Sequence, residues 1–239
     1  MDLEIYSKDP PSSNSLSLLQ RTDRYFYTIL TIIGLASILF ALWPYLVWQV
    51  STMPKLTSHV KNVPVPQSKV LSASTSYAEN IQVVKDSDGF SYFATTYKPQ
   101  GQRPKEFYVT IPKLKIFKAI AKVDSLNFKQ NLSHFPGSAL PGEVGNVFIT
   151  GHSVLPQFND PKNYLAIFTK LSELEIGDKI EVNIGDKYYE YLVQYAKVVD
   201  PHDLSVIRPI SANGKNLTLM TCVPPGTSLK RLVVITSLI

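Results

Sequence analysis

The chain has one cysteine, Cys222, in 239 residues. A single thiol cannot close an internal disulfide, and it excludes any zinc site built on several cysteines. Stability must come from an apolar core, and the thiol is free. Dense basic blocks are missing too. The 24 Lys and Arg are scattered, the formal charge is +5, and no regular aromatic interleaving accompanies them. Those absences argue against a nucleic-acid partner. No internal repeat is present. One stretch lacks charge altogether: residues 25 to 50, "YFYTILTIIGLASILFALWPYLVWQV".

About 20 apolar residues in a helix span the hydrocarbon layer of a membrane. Tyr25, Phe26 and Tyr27 sit at one end of the uncharged run, with Trp43, Tyr45 and Trp48 at the other. Aromatic belts occupy those two positions in membrane spans. The run is longer than the apolar region of a signal peptide and lacks a small-residue cleavage site. It reads as a single-pass anchor, with Pro44 near the end where a helix can break. Arg21 and Arg24 precede the span, while Lys55 and Lys61 follow it. The positive-inside rule then leans toward a cytoplasmic segment at residues 1 to 24 and an extracellular remainder.

Residues 51 to 80 are rich in Pro, Ser, Thr and Val and show no period. With residues 81 to 105 they form a linker or stalk, although "GFSYFATTY" also fits a strand or a flap over a site. From residue 106 the pattern turns to short β-rich runs: "EFYVTIPKLKIFKAIAKV", "GNVFITGHS", "NLTLMTC" and "KRLVVITSLI". "DKIEVNIGDKYYEYLVQYAKVV" reads as two strands about a turn at Ile184-Gly185-Asp186. "PKNYLAIFTKLSEL" is the one helical pattern. Residues 106 to 239 therefore predict a mostly β domain, a closed or nearly closed barrel with one or two short helices.

A thiol attacks as its thiolate, so Cys222 needs a base or a lowered pKa. The chain offers four histidines. His59 is in the stalk. His134 is in the turn-rich "NLSHFPGSALPG", and His202 is in "DPHD" beside two acids. His152, in "TGHS", follows an apolar run directly and leads on local context, with His134 and His202 still open. A developing oxyanion also needs a donor. Arg231 lies nine residues after Cys222. If "TLMTC" and "RLVVIT" are neighbouring strands, Cys222 and Arg231 share one rim, and a planar, permanently charged guanidinium suits that place.

"TLMTC", followed by Arg231 in "KRLVV", resembles the TLxTC and arginine signature of the sortases. "FPGSALPGEVGNVFITGHS" is similar to the stretch holding their catalytic histidine, and "IPKLKI" to their opening strand. The resemblance covers residues 106 to 239, and its histidine, cysteine and arginine come in the family's order. The short Cys-to-Arg gap is like that of the pilin-type or housekeeping-like classes. No Asp-Pro-aromatic lid motif precedes the barrel; "DSDGFSYF" is the nearest stretch.

The resemblance implies an eight-stranded barrel and a cysteine transpeptidase outside the membrane. It implies His152 as general acid/base, Cys222 as nucleophile and Arg231 as the oxyanion or substrate-orienting donor. No cofactor is expected, and because the acids here do not place the calcium site of some members, no metal is expected. Implied partners are surface proteins bearing an LPxTG-like sorting signal, an amine acceptor on a cell-wall precursor or a pilin lysine, and membrane lipid. Competing readings are another Cys–His cell-wall peptidase or transpeptidase, and a non-enzymatic tethered β-domain with an inert buried thiol.

Overall fold

A computed structural model describes residues 14–54, 81–85, 91–211 and 213–239. The chain divides into two units, Met1–Leu46 and Val47–Ile239. The first is dominated by helix α1, Asn14–Ser51. Within α1, Tyr25–Trp43 is long and apolar enough to cross a membrane, and none of it is buried. The helix runs on past position 44 to Ser51 instead of stopping at the proline.

The second unit is a closed barrel plus a hairpin. Strands β1 (Ile81–Lys85) and β2 (Ser91–Thr95) pair only with each other. The barrel uses β3 (Glu106–Ile111), β4 (Ile116–Lys122), β5 (Leu132–His134) and β6 (Gly145–Thr150). It continues with β7 (Lys179–Ile184), β8 (Lys187–Val199), β9 (Lys215–Val223) and β10 (Lys230–Leu238). They close in the order β10-β8-β7-β3-β4-β5-β6-β9. The expected mostly β, eight-stranded barrel is what forms. Pairs β4–β5 and β6–β9 are parallel, and the other barrel pairs are antiparallel.

Local sequence explains much of this. The β7–β8 hairpin turns at Gly185-Asp186, and Gly185 takes φ +55°, which glycine adopts without a Cβ clash. The helical-looking stretch from residue 161 instead folds as successive turns ending in a 3-10 turn, Leu171–Glu173. Two turn bonds, Ala166 N–H to Asn163 and Thr169 N–H to Ala166, hold it in i→i+3 steps. Ala166, Ile167 and Phe168 are buried in this tighter form.

Two apolar clusters sit on opposite faces of the same strands. Inside the barrel lie Val147, Ile149, Leu217, Leu219, Val223, Leu232 and Val234. On the outer face, Phe148, Met220, Val233 and Ile235 pack with Phe93 of β2 and with Val206 and Ile207. Side chains alternate along a strand. Cys222 therefore follows Met220 onto the outer face, and Arg231 precedes Val233 there. Strands β6, β9 and β10 are buried on both sides, which explains why apolar residues run consecutively in them, as in Val147–Ile149 and Leu232–Ile235, instead of alternating.

Candidate active site

Strand pairing brings distant residues together. In the antiparallel β9–β10 ladder, Cys222 is directly opposite Arg231. In the parallel β6–β9 ladder, Thr150 is opposite Met220, so the chain leaving β6 runs beside Cys222. His152, Cys222 and Arg231 line one cleft, together with Thr150, Met220 and Thr221.

A set of clasps holds the histidine turn. The Gly151 N–H donates to Met220 O at 3.1 Å. Thr221 Oγ1 donates to Gly151 O at 2.9 Å, and Ser153 Oγ to Cys222 O at 2.7 Å. Phe168 N–H donates to His152 O at 2.9 Å. Glycine at 151 allows close packing, because a Cβ would come within 2.6 Å of Phe168 Cδ2 and 2.9 Å of Leu132 Cδ2 and force those side chains to shift. These long-range bonds fix the backbone on both sides of His152 to the strand that carries the thiol.

Arg231 is 2% exposed. Its Nη1 donates to Ser228 O and Lys230 O, each at 3.0 Å, which curls the side chain toward the β9–β10 connection. Burial pushes the Cys222 thiol above its usual pKa, and the Arg231 charge opposes that only in part. A thiol held this way favours its protonated form, so any attack by it would need a base.

The cleft is covered. Phe128, from the β4–β5 connection, packs on the His152 ring at 4.4 Å between centroids and 53° between planes. Tyr92 of β2 meets Phe128 edge-on at 5.8 Å. Both line the cleft, which encloses about 20 Å³. That is room for about one water and not for a peptide. Neither aromatic is among the sequence-derived candidates. The stretch "GFSYFATTY" raises a flap as one option, and nothing in the local pattern marks Phe128.

The other histidines lie elsewhere. His202 is exposed, with Nδ1 3.1 Å from Asp200 Oδ1. Lys230 Nζ also reaches Asp200, at 3.2 Å. These contacts, with the His202 backbone bond first among them, hold the Asp200 carboxyl down at about 2. His134 is fully buried. Its Nδ1 accepts from the Asp124 N–H at 3.3 Å, so the proton is on Nε2, 2.9 Å from both Ala139 O and Ser138 Oγ. Burial pushes its pKa down to about 4. It is a neutral donor in a structural network with Asp124 and Arg103, whose Nε is 3.2 Å from Asp124 Oδ2. His59 lies outside the described residues. Among the described residues no group of three His, Cys, Asp or Glu side chains could hold a metal ion.

The Sortase domain family matches residues 109–239. Sortase D of Bacillus subtilis is 26% identical over 128 residues, which cover 52% of this chain and 59% of that protein. Sortase SrtE1 of Streptomyces coelicolor is 31% identical over 105 residues, covering 41% of this chain and 28% of that protein. In both, the matched stretch spans less than two thirds of the relative's length. A solved structure of a Clostridium perfringens Sortase D5 transpeptidase is 25% identical, covering 56% of this chain and 79% of that one, with a TM-score of 0.48.

Proposed function

From the premise that this chain belongs to the sortase family, whose domain occupies residues 109–239, we propose that it is a membrane-anchored cysteine transpeptidase. Its donor substrate is an exported protein with an LPxTG-like C-terminal sorting signal. Its acceptor is an amine on a cell-wall precursor or on another protein. The observation that carries this reading is the convergence of Cys222, His152 and Arg231 on one cleft.

The chemistry follows from the site. The Cys222 proton passes to His152 as Sγ adds to the scissile carbonyl. Negative charge then develops on the carbonyl oxygen, where the Arg231 guanidinium offers a fixed positive field in a poorly solvated setting. Collapse breaks the C–N bond. His152 gives its proton to the departing amine, and a thioester to Cys222 remains. The incoming amine attacks that thioester, His152 takes its proton, and the Cys222 thiolate leaves and regains a proton. Water competes with the amine, and only a positioned amine wins, since orientation can contribute about 7–11 kcal/mol. Because Tyr92 and Phe128 fill the approach, the donor peptide has to displace them to reach the thiol.

Helix α1 is the anchor under this reading, with the barrel outside the cell. Its uncharged Tyr25–Trp43 stretch supports that placement. Protease treatment of intact cells should release the barrel, and a barrel protected until lysis would reverse the orientation.

The test of the function incubates the enzyme with LPxTG-like peptides and a panel of amines: glycine peptides, lysine peptides and wall stem peptides. Mass spectrometry should show a Cys222 acyl adduct and a ligated product. Hydrolysed peptide alone with every amine would make the protein a peptidase. Absence of any adduct would leave a tethered β-domain.

A further inference from the structure

Strand β6 ends at Thr150, yet its bonding to β9 does not stop there. The Gly151 N–H takes Met220 O at 3.1 Å, one step past the last strand residue. In a parallel ladder the bonds are evenly spaced and recur at every second residue. The next acceptor on β9 is therefore Cys222 O, and the next donor would be residue 153. By then the chain has left the strand, and the Val154 N–H goes to Thr169 Oγ1 at 3.0 Å. The Ser153 hydroxyl takes the place of the missing N–H and donates to Cys222 O at 2.7 Å.

Burial makes that bond stringent. Ser153 and Thr169 are both buried. A hydroxyl or carbonyl left unpaired there is costly, so the turn has one favoured seat. The link between nucleophile and base is also short: the Cys222 carbonyl, one hydrogen bond, Ser153, and then His152 next in the chain. The Phe168 N–H on His152 O and the Phe128 ring on the imidazole restrain the histidine as well.

What holds the base matters because of what the cleft lacks. Among the described residues that line it, none is Asp or Glu. In many Cys–His sites a third side chain orients the base. Here no carboxylate of the cleft can align the imidazole toward the thiol, so the backbone of the histidine's own turn has to supply the alignment. Small displacements matter in that setting, since about 1 Å can cost about 10²-fold in rate.

We infer that Ser153 is a positioning residue for proton transfer between Cys222 and His152: its hydroxyl ties the turn that carries the base to the carbonyl of the nucleophile itself. Ser153 does not line the cleft. Its loss should slow the chemistry and leave peptide binding alone. The rate expectation rests on the transpeptidase reading, whereas the pairing of thiol and imidazole can be read without any substrate.

The experiment compares Ser153→Ala and Ser153→Thr with His152→Ala and the unaltered full-length enzyme, all in detergent. For an LPxTG-like peptide, kcat should fall about 10- to 100-fold in Ser153→Ala, with KM within about twofold of the unaltered value. Ser153→Thr keeps the hydroxyl and should recover most of the rate. The second measurement is the pH profile of Cys222 alkylation by iodoacetamide. In Ser153→Ala it should move toward the His152→Ala profile, and in Ser153→Thr it should stay with the unaltered one. A residue that only steadied the fold would lower Tm and leave that profile in place. Should Ser153→Ala not fold, Thr169→Val loosens the other end of the turn and should move kcat and the profile in the same direction by less; no movement there would overturn the inference. So would an unchanged kcat in Ser153→Ala, a KM that rises as far as kcat falls, or equal losses in the alanine and threonine variants with the fold intact. If the unaltered enzyme processes no such peptide, the transpeptidase reading fails, and the alkylation profiles alone decide. Coincident profiles for Ser153→Ala and the unaltered enzyme, or for His152→Ala and the unaltered enzyme, would refute the positioning.

Discussion

Replacing Phe128 by alanine should open the cleft, and the size of the effect can be worked from two ring contacts. Phe128 packs on His152 at 4.4 Å, and Tyr92 meets Phe128 edge-on at 5.8 Å. Ring pairs of this kind contribute about 0.5–1.5 kcal/mol each beyond area burial. Phe128→Ala removes both, about 1–3 kcal/mol, which corresponds to about a 5- to 150-fold rise in the population with an accessible thiol. Tyr92→Ala removes only one and should give a smaller rise. The double variant should add little to Phe128→Ala, since both changes break the same stack. The assay is the second-order rate of iodoacetamide alkylation at Cys222. Opening also returns water to the thiol. Burial is the leading reason its pKa is raised, so the pH profile of alkylation should move to lower pH in Phe128→Ala. Equal alkylation rates for Phe128→Ala, Tyr92→Ala and the unaltered protein, with circular dichroism unchanged, would refute the idea that these rings cover the site.

Further outcomes follow from the same geometry. Cys222→Ala should abolish adduct formation and turnover while keeping the fold, checked by mass spectrometry and circular dichroism together. His152→Ala should lower kcat/KM by about 10²- to 10⁴-fold, the usual range for lost proton transfer, whereas His202→Ala, on an exposed loop, should change it little. Equal losses would mean the wrong partner has been assigned. Arg231→Lys should cost about 10²- to 10³-fold in kcat despite keeping its charge, as the planar fork is lost; an unchanged kcat would make Arg231 structural only. His134 gives a stability prediction with a definite sign. Its folded pKa is about 4 against an unfolded value near 6.5, so between those values the unfolded chain binds the extra proton. Stability should fall as pH drops from about 6.5 to about 4, by up to about 3 kcal/mol, and this contribution should level off below pH 4. Urea titrations across that range should show the slope, and His134→Gln should lack it.

The sequence by itself carries whatever depends on neighbours along the chain. An uncharged run of helix-spanning length is visible without coordinates, because transfer into a membrane depends on composition and length. Alternating and continuous apolar runs mark strands, and Gly185-Asp186 marks the one tight hairpin of the barrel. The lone thiol in "TLMTC" and the arginine nine residues on are adjacent enough for a short connection to place them face to face.

What only the tertiary structure decided depends on strand order and register. His152 is 70 residues from Cys222 in sequence, and the parallel β6–β9 pairing with the Gly151 and Ser153 clasps brings it beside the thiol. His134 has similar local credentials, yet the same barrel closes around it and leaves it neutral in a dry network. Phe128 and Tyr92 have no periodic signature, because each sits at an element whose role is set by what it lands on. Ser153 is equally silent in sequence: a serine after a histidine reads as a loop residue until the fold brings the Cys222 carbonyl to its hydroxyl. Contacts of this kind form between segments dozens of residues apart, and a side chain's chemistry there depends on the partner and the burial that chain closure supplies.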